Sequence, residues 1–166
     1  GLFNRAAVLE ALEREVTRSN REKHHMAVIM ADLDHFKDIN DTYGHQAGDA
    51  VLQELARRML ASFRAYDFVG RYGGEEFLVV VPTSELHTAV ELAERLRQNV
   101  SAHPVNIGEV IIPISISLGV AALTSDTNQP DQLLRVADEA LYAAKRAGRN
   151  RVESALSTQP AVPSVP

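Results

Sequence analysis

The 166-residue chain contains no cysteine and no tryptophan. The absence of cysteine excludes disulfide bonds and thiolate metal sites. No apolar run approaches the ~20 residues of a transmembrane helix, so we expect a cytoplasmic domain that makes no membrane contact. A chain of this length can bury a sufficient core without cross-links, which predicts one folded domain.

Basic residues are fewer than acidic ones, with 17 Lys and Arg against 22 Asp and Glu and a formal net charge of -5. Nonspecific nucleic-acid binding depends on a basic surface that neutralises phosphates. The sequence therefore predicts no nucleic-acid partner. A polyanionic nucleotide would need a divalent cation to enter a site on this chain.

Several common motifs are also missing. The sequence has neither the Walker phosphate-binding loop nor the Rossmann glycine pattern, and it has no His-Glu-x-x-His zinc helix. It also lacks the Gly-x-Ser-x-Gly elbow of serine hydrolases. What remains are carboxylates near glycines, a combination that favours metal-assisted phosphoryl or nucleotidyl transfer over acyl transfer.

One group of carboxylates follows an apolar strand predicted at 26–33. Because side chains alternate along a strand, Asp32 and Asp34 share one face, and the Leu33 carbonyl lies beside the Asp32 carboxylate. Such oxygen ligands suit Mg²⁺. The alternative, that these are solvated acids at a strand end, stays open on the sequence alone.

A second group lies in the segment Arg-Tyr-Gly-Gly-Glu-Glu-Phe at 71–77, between two short apolar runs. We predict a β-hairpin with this segment at its tip. Gly73 and Gly74 can adopt the positive φ angles of a two-residue turn and can let a phosphate approach the backbone. Glu75 would complete a magnesium site if the hairpin lies beside the first strand, although charged hairpin tips are also ordinary surface.

Hydrophobic periodicity predicts alternating helices and strands. The predicted helices are 5–18, 48–62, 85–102 and 131–147. The predicted strands are 26–33, 67–72, 76–81, 105–107, 109–122 and 151–154. This order favours an α+β sandwich in which helices pack on a mostly antiparallel central β-sheet. We assign 1–155 to the domain and expect the Ser- and Pro-rich segment 156–166 to be a disordered tail.

Taken together, these segments resemble the GGDEF family of diguanylate cyclases, in its Gly-Gly-Glu-Glu-Phe form. The resemblance extends over the whole predicted domain in five ordered blocks besides the hairpin. These blocks are 1–5, 32–41, 43–49, 116–120 and 137–150. The resemblance implies a palm-like fold of the nucleotidyl cyclase type.

The family's reaction, implied for this chain, condenses two GTP molecules into cyclic di-3′,5′-GMP and releases two pyrophosphates. The resemblance implies that Asp32, Glu75 and the Leu33 carbonyl hold Mg²⁺, with Mn²⁺ as a possible substitute. Glu75 is also the candidate proton acceptor, although metal binding and base catalysis compete. Glu76 is expected to support the hairpin or a second ion.

The resemblance also assigns the substrate contacts. Gly73 and Gly74 would cradle the phosphates through backbone N–H groups. The cations around the triphosphate would be Lys37, Lys145 and Arg149, with Lys37 the candidate for stabilising transition-state charge. Guanine recognition would fall to Asn40, His45 and Asp49. Alternatively, Asp49 caps the following helix, Asn40 is a turn residue, and the cations are ordinary surface groups.

Regulation is implied as well. Arg64 and Asp67 match the family's Arg-x-x-Asp product-inhibition site, with Arg95 as an additional ligand of cyclic di-GMP. Catalysis requires a two-fold homodimer, because each domain presents one GTP. Since the chain begins inside the family's opening block, we expect an upstream sensory or regulatory domain and an uncapped N-terminal helix.

Two other functions remain open on the sequence. One is a catalytically silent receptor that binds cyclic di-GMP through Arg64 and Asp67. The other is a nucleotidyl cyclase of similar fold that makes a different cyclic nucleotide.

Overall fold

The computed structural model describes residues 1–155, in which helices and strands alternate along the chain. The helices are α1 (Arg5–Glu22), α2 (Phe36–Tyr43), α3 (His45–Ser62), α4 (Leu86–Ala102) and α5 (Pro130–Arg146). The strands are β1 (Met26–Leu33), β2 (Phe68–Arg71), β3 (Glu76–Pro82), β4 (Val105–Ile107), β5 (Val110–Ile112), β6 (Ile116–Ala122) and β7 (Val152–Ser154). The tail predicted at 156–166 lies outside the described residues.

The central sheet has five strands in the order β2-β3-β1-β6-β7. Strand β1 pairs antiparallel with β3 on one side and with β6 on the other, and β7 joins β6 in parallel. The sheet is therefore mixed but mostly antiparallel. The predicted α+β fold, with helices flanking a central sheet, is confirmed.

Both faces of the sheet are covered. Ile29 and Ala31 belong to a core that also contains residues of α3 and α4, while Val28 and Met30 belong to a core shared with α1 and α5. All eight residues of β1 are buried. Burial on both faces explains why β1 is almost continuously apolar until it reaches the first acid of the candidate site.

Helix α1 begins with a hydrogen-bonded cap. The Asn4 side-chain oxygen accepts a hydrogen bond of 2.8 Å from the backbone N–H of Ala7. The expectation of an uncapped helix is therefore wrong, because the asparagine immediately before the helix satisfies one of its free N–H groups.

The short helix α2 was not predicted from the sequence. It is only eight residues long, and Ile39 is its one buried residue, so it lacks an apolar stripe that periodicity can detect. Asn40 accordingly lies in a helix and not in a turn. Gly44, with φ of 90°, separates α2 from α3, which places Asp49 inside α3 and not at its cap. Both alternative roles considered for these two residues are therefore wrong.

The strand predicted at 109–122 is divided in two. Strands β4 and β5 form a separate two-stranded sheet, and 113–115 connect β5 to β6. Pro113 has no N–H group with which to continue a strand ladder, which accounts for the break.

Across residues 1–155, none of the helices combines the length and the apolar character that crossing a membrane requires.

Candidate active site

Strand pairing brings the two predicted groups of carboxylates together. In the antiparallel register of β1 and β3, Asp32 lies opposite Glu76. The backbone N–H of Leu33 donates a 3.2 Å hydrogen bond to the carbonyl of Glu75. The hairpin tip therefore lies beside the end of β1, which was the condition for a shared site.

The hairpin tip differs from the predicted two-residue turn. Residues 72–75 separate β2 from β3, and neither Gly73 nor Gly74 has a left-handed φ angle. The Arg71 guanidinium instead holds the tip, donating hydrogen bonds to the carbonyls of Gly73 at 3.3 Å and Gly74 at 2.6 Å. A Cβ atom on Gly74 would meet no heavy atom within 4 Å, so the glycine leaves open space at the tip.

A cavity of about 260 Å³ lies between the hairpin, the end of β1 and the end of α5. Six of the predicted site residues line it: Asp32, Leu33, Lys37, Glu75, Lys145 and Arg149. Larger clefts of about 370 to 860 Å³ occur on the described surface, one of them adjoining this cavity at Asp34, but none is lined by Glu75 or Lys145. The smaller cavity is therefore distinguished by its residues, since predicted site residues from the hairpin, β1, α2 and the end of α5 line one space.

Asp32 is the most perturbed acid of this cavity. Its side chain is buried, and burial raises its pKa from 3.8 to about 6. A hydrogen-bonded ion pair of 3.0 Å with the Lys145 ammonium acts in the opposite direction, while the charges of Glu75 and Glu76 contribute to the increase. One lysine thus compensates only part of the local negative charge.

This donor set fits a hard divalent cation. Asp32 and Glu75 face the same cavity, Leu33 next to Asp32 also lines it, and the charges of Glu75 and Glu76 help to raise the pKa of Asp32. Mg²⁺ characteristically uses one or two carboxylates and completes its octahedron with substrate phosphates and water. No group of three or more His, Asp or Glu side chains is arranged as metal ligands within 1–155.

The three predicted cations reach the cavity from different elements. Lys37 is exposed in the first turn of α2, and Lys145 lies at the end of α5 with about a third of its side chain exposed. Arg149 follows α5 in a turn and has a left-handed φ of 65°. Cations that line the same cavity as a pair of carboxylates can hold a triphosphate that arrives with a metal ion.

Asp34 was expected to share a face with Asp32, but its carboxylate is fully engaged within the protein. It accepts hydrogen bonds from the Ser115 hydroxyl at 2.7 Å, the Ser117 hydroxyl at 2.6 Å and the Asn150 backbone N–H at 3.0 Å. From the sequence, Asp34 was grouped with Asp32 at the strand end but was not included among the metal ligands implied by the family. The one available signal was Ser117, a serine within an otherwise apolar strand.

The predicted guanine contacts lie on the pair α2 and α3. A Cβ atom on Gly48 would collide with the Asn40 amide oxygen, so the glycine lets the two helices approach closely there. That amide oxygen is buried and has no hydrogen-bond partner in the part of the chain that the structure describes. His45 and Asp49 are exposed on α3. Asn40 therefore offers an unused acceptor, since a buried oxygen of this kind is normally paired.

The predicted product-inhibition residues occupy the turn before β2. The Arg64 backbone N–H donates a 2.8 Å hydrogen bond to one oxygen of Asp67, and the Arg64 guanidinium donates to the Tyr66 hydroxyl at 2.8 Å. The other Asp67 oxygen is buried without a partner among the described residues, and burial raises the pKa of this carboxyl. Arg95 is exposed on α4, and within 1–155 no hydrogen bond or ion pair joins it to Arg64 or Asp67.

Comparison with known families identifies the domain. The model of the family described as "Diguanylate cyclase, GGDEF domain" matches residues 1–151. The response regulator PleD from Caulobacter vibrioides is 42% identical over 154 residues, which cover 92% of this chain and 34% of PleD. Diguanylate cyclase DgcP from Pseudomonas aeruginosa is 43% identical over 155 residues, covering 93% of this chain and 23% of DgcP.

The solved structures agree with the sequence relatives. The GGDEF domain of DgcB from Caulobacter crescentus, determined in complex with c-di-GMP, superposes with a TM-score of 0.89. The two chains are 33% identical, and the match covers 94% of this chain and 90% of that one. The chain thus corresponds to one domain of its relatives, and spans about a third or less of the length of PleD and DgcP.

Proposed function

This chain belongs to the GGDEF-domain family of diguanylate cyclases, and we propose that it condenses two GTP molecules into cyclic di-3′,5′-GMP with release of two pyrophosphates. The observation that carries the proposal is the cavity in which Asp32 and Glu75 face Lys37, Lys145 and Arg149. Carboxylates for a metal ion and cations for phosphates are the two requirements of nucleotidyl transfer from a triphosphate.

The proposed reaction depends on Mg²⁺, for which Mn²⁺ can substitute. Asp32, Glu75 and the Leu33 carbonyl would hold the ion. When bound, it supplies neutralisation of triphosphate charge and a lower pKa for a coordinated hydroxyl. The buried position and raised pKa of Asp32 support this assignment, because a bound cation would stabilise the charged form of a buried carboxylate.

The protein's own groups orient and stabilise the reacting nucleotide. Lys145 and Arg149 bind the triphosphate, and Lys37 stabilises the charge that develops as pyrophosphate leaves. The open space beside Gly74 admits a phosphate to the hairpin backbone. Glu75 accepts the proton of the attacking 3′-hydroxyl, a role that competes with its metal contact. Glu76, paired opposite Asp32, supports the hairpin or a second ion.

In this proposal the protein selects GTP by recognising its guanine base. The edge of this base offers the N1–H and N2–H₂ donors. The Asn40 oxygen, which has no partner in the described part of the chain, and the exposed Asp49 carboxylate are acceptors for them. His45 lies beside them at the start of α3. Adenine lacks this pair of donors and would leave the acceptors unpaired, so GTP should be used in preference to ATP.

The product contains two nucleotides related by two-fold symmetry, and the proposed active form is therefore a face-to-face homodimer. Each protomer presents one GTP, so that each 3′-hydroxyl attacks the α-phosphorus of the other nucleotide. Assembly of the dimer by an upstream sensory or regulatory domain is part of the same proposal.

Feedback control by cyclic di-GMP is the remaining part of the proposal. The Asp67 oxygen that has no partner among the described residues can accept from a guanine edge, and the Arg64 guanidinium can pair with phosphate or guanine. Arg95 would contribute from α4. An Arg64→Ala variant should lose inhibition by added cyclic di-GMP while it keeps its initial rate. Unchanged inhibition in this variant would remove the site from the proposal.

The Asp67 oxygen, unpaired within 1–155, also favours a second candidate function, a silent receptor of cyclic di-GMP. The two candidates differ in product formation. The purified domain at high concentration is incubated with GTP and Mg²⁺, and nucleotides are identified by mass spectrometry. Glu75→Ala is run in parallel, with Glu109→Ala in the exposed β4–β5 turn as a matched control.

Cyclic di-GMP formed by the wild type and by Glu109→Ala, but not by Glu75→Ala, is the expected result. Failure to form product even when dimerisation is enforced by a fused coiled coil, with cyclic di-GMP binding retained, would favour the receptor. A cyclic product other than cyclic di-GMP would identify a different nucleotidyl cyclase.

A further inference from the structure

The Asp34 carboxylate is buried at the end of β1, with 4% of the residue exposed. Its three hydrogen bonds connect it to two different segments. The hydroxyls of Ser115 and Ser117 bind it from the start of β6, and the Asn150 N–H binds it from the turn that follows α5. The proposed mechanism uses none of these contacts.

The turn after α5 has an unusual backbone. Arg149 and Asn150 have consecutive left-handed φ angles of 65° and 47°, a conformation that non-glycine residues seldom adopt in succession. Such a turn persists only when surrounding contacts fix it. The Arg149 N–H donates to the Ala144 carbonyl at 3.0 Å on one side, and the Asn150 N–H donates to Asp34 at 3.0 Å on the other.

Arg149 is thus held between two backbone anchors, and the Arg97 guanidinium of α4 also donates to the Asn150 side-chain oxygen at 2.9 Å. Arg149 lines the cavity of the proposed triphosphate site. Resting on the proposed function, we propose that Asp34 is a positioning residue, which fixes the turn so that the Arg149 guanidinium meets the triphosphate. Lys145 does not depend on this contact, because it lies within α5 and pairs with Asp32.

This role differs from a general contribution to folding. The serine contacts join β1 to β6, whereas the contact with Asn150 acts on the turn alone. If Asp34 acts through Arg149, its removal should weaken binding of the triphosphate and leave binding of guanosine unchanged. Removal of Asp34 should also have no further effect on triphosphate binding in a variant that lacks the Arg149 side chain.

The test compares affinities for 3′-deoxy-GTP and 3′-deoxy-GMP in Mg²⁺ buffer. These nucleotides lack the attacking hydroxyl, so that binding is measured without turnover. Asp34→Ala should lower the preference for the triphosphate by about 10-fold or more, the usual effect of removing an orienting group. In an Arg149→Ala background it should lower the preference by less than about 2-fold, while in a Lys145→Ala background it should keep its full effect.

Two variants separate the contact from folding. Asp34→Asn should keep the preference within about 3-fold, because its oxygen can face Asn150 while its amide faces a serine hydroxyl that rotates to accept. Ser117→Ala removes a hydrogen bond from the same carboxylate but leaves the turn contact, and should also stay within about 3-fold. Thermal unfolding of each variant establishes that it is folded.

Additive losses in the Arg149→Ala background would overturn the inference. If Asp34→Ala fails to fold, a loss of preference of about 10-fold in folded Asp34→Asn overturns it instead, because the amide keeps the contact with the turn. A wild-type chain that binds the triphosphate analogue but forms no cyclic di-GMP would contradict the proposed enzyme while leaving this test intact. A wild-type chain that binds neither analogue overturns both.

Discussion

The Lys145 ammonium lies 3.0 Å from a carboxylate oxygen of Asp32, and this ion pair joins the end of α5 to the end of β1. Burial nevertheless keeps the pKa of Asp32 near 6, because a single lysine does not offset desolvation and the neighbouring glutamates. The charge state of the candidate metal ligand therefore depends on a residue of the proposed triphosphate site. This coupling makes the pH dependence of activity informative.

Replacing Lys145 should shift the acidic limb of the pH profile of kcat/KM to higher pH. In Lys145→Met the pKa of Asp32 should rise above about 6, because the contacts that lower it are lost. Protonated Asp32 cannot act as a carboxylate ligand, so kcat/KM should fall off at a higher pH than in the wild type. The measurement is the profile of kcat/KM between about pH 5 and 8.

Arg146→Met is the matched control for that experiment. Arg146 neighbours Lys145 and stacks over the Tyr142 ring at 5.8 Å, outside the lining of the cavity. Its profile should superpose on that of the wild type. An acidic limb that stays in place in Lys145→Met would contradict the coupling.

Asp32 should destabilise the free protein at neutral pH. Its pKa is raised on folding, so the folded state retains the proton up to about pH 6, whereas the unfolded chain releases it near 3.8. Stability is therefore lost as the pH rises between these values, by up to about 3 kcal/mol. Asp32→Asn should raise the free energy of unfolding by about 1–3 kcal/mol at neutral pH while it abolishes activity.

Denaturant unfolding of both proteins at about pH 4 and 7 checks this sign. The difference in the free energy of unfolding should almost vanish at the lower pH, where Asp32 is protonated in the folded state. A variant less stable than the wild type at neutral pH would show that the Lys145 ion pair outweighs desolvation.

Gly48→Ala should impair guanine recognition. The added methyl group would collide with the Asn40 amide oxygen, whose displacement removes an acceptor for the base. We expect KM for GTP to rise by about 10-fold and the preference for GTP over ATP to fall. Steady-state kinetics with both nucleotides test this.

Ala50→Gly, two positions further along α3, is the control. It exchanges the same two residue types in the same helix and therefore tests whether a change in helix propensity alone alters nucleotide preference. Its preference for GTP should equal that of the wild type. If Gly48→Ala also retains it, Asn40 does not contact the base.

The Arg58 guanidinium should stabilise the C-terminal end of α4. Arg58 is buried and donates hydrogen bonds to the carbonyls of Val100, His103 and Pro104, which no helical N–H group satisfies. Arg58→Leu should lower the free energy of unfolding by about 2–4 kcal/mol, since buried carbonyls lose their donors and Glu54 loses one of its partners.

Arg57→Ala provides the comparison, because Arg57 pairs with the same Glu54 at 2.8 Å but is 69% exposed. An exposed ion pair contributes little, and the change should stay within about 0.5 kcal/mol. Equal losses in the two variants, measured by denaturant unfolding, would contradict the role assigned to the carbonyl contacts.

The elements that periodicity revealed are those with a continuous apolar face. Strand β1 and helices α1, α4 and α5 are close to their predicted positions, because each buries a regular set of side chains. Helix α2 was missed because Ile39 alone is buried from it. The strand predicted from 109 was wrong at Pro113, where β-branched residues on both sides concealed a connection between two sheets.

The candidate site shows the same division. Asp32, Glu75 and the cations could be chosen from the sequence, since charged residues beside an apolar strand and a glycine pair are locally visible. The engagement of Asp34 by Asn150 could not be chosen, because 116 residues separate the two partners along the chain. The left-handed angles at Gly73 and Gly74 were expected and are absent, because Arg71 holds the tip in another way.

The amino-acid sequence by itself determined the family, the kinds of residue available for catalysis and the strands and helices that carry them, because these follow from local patterns. Only the tertiary structure decided how the groups act on one another. The pKa of Asp32, the oxygens of Asn40 and Asp67 that lack a partner within 1–155, and the anchoring of Arg149 depend on burial and on distances between segments remote in the chain. Desolvation and hydrogen-bond geometry are properties of that packing and have no counterpart in a linear pattern.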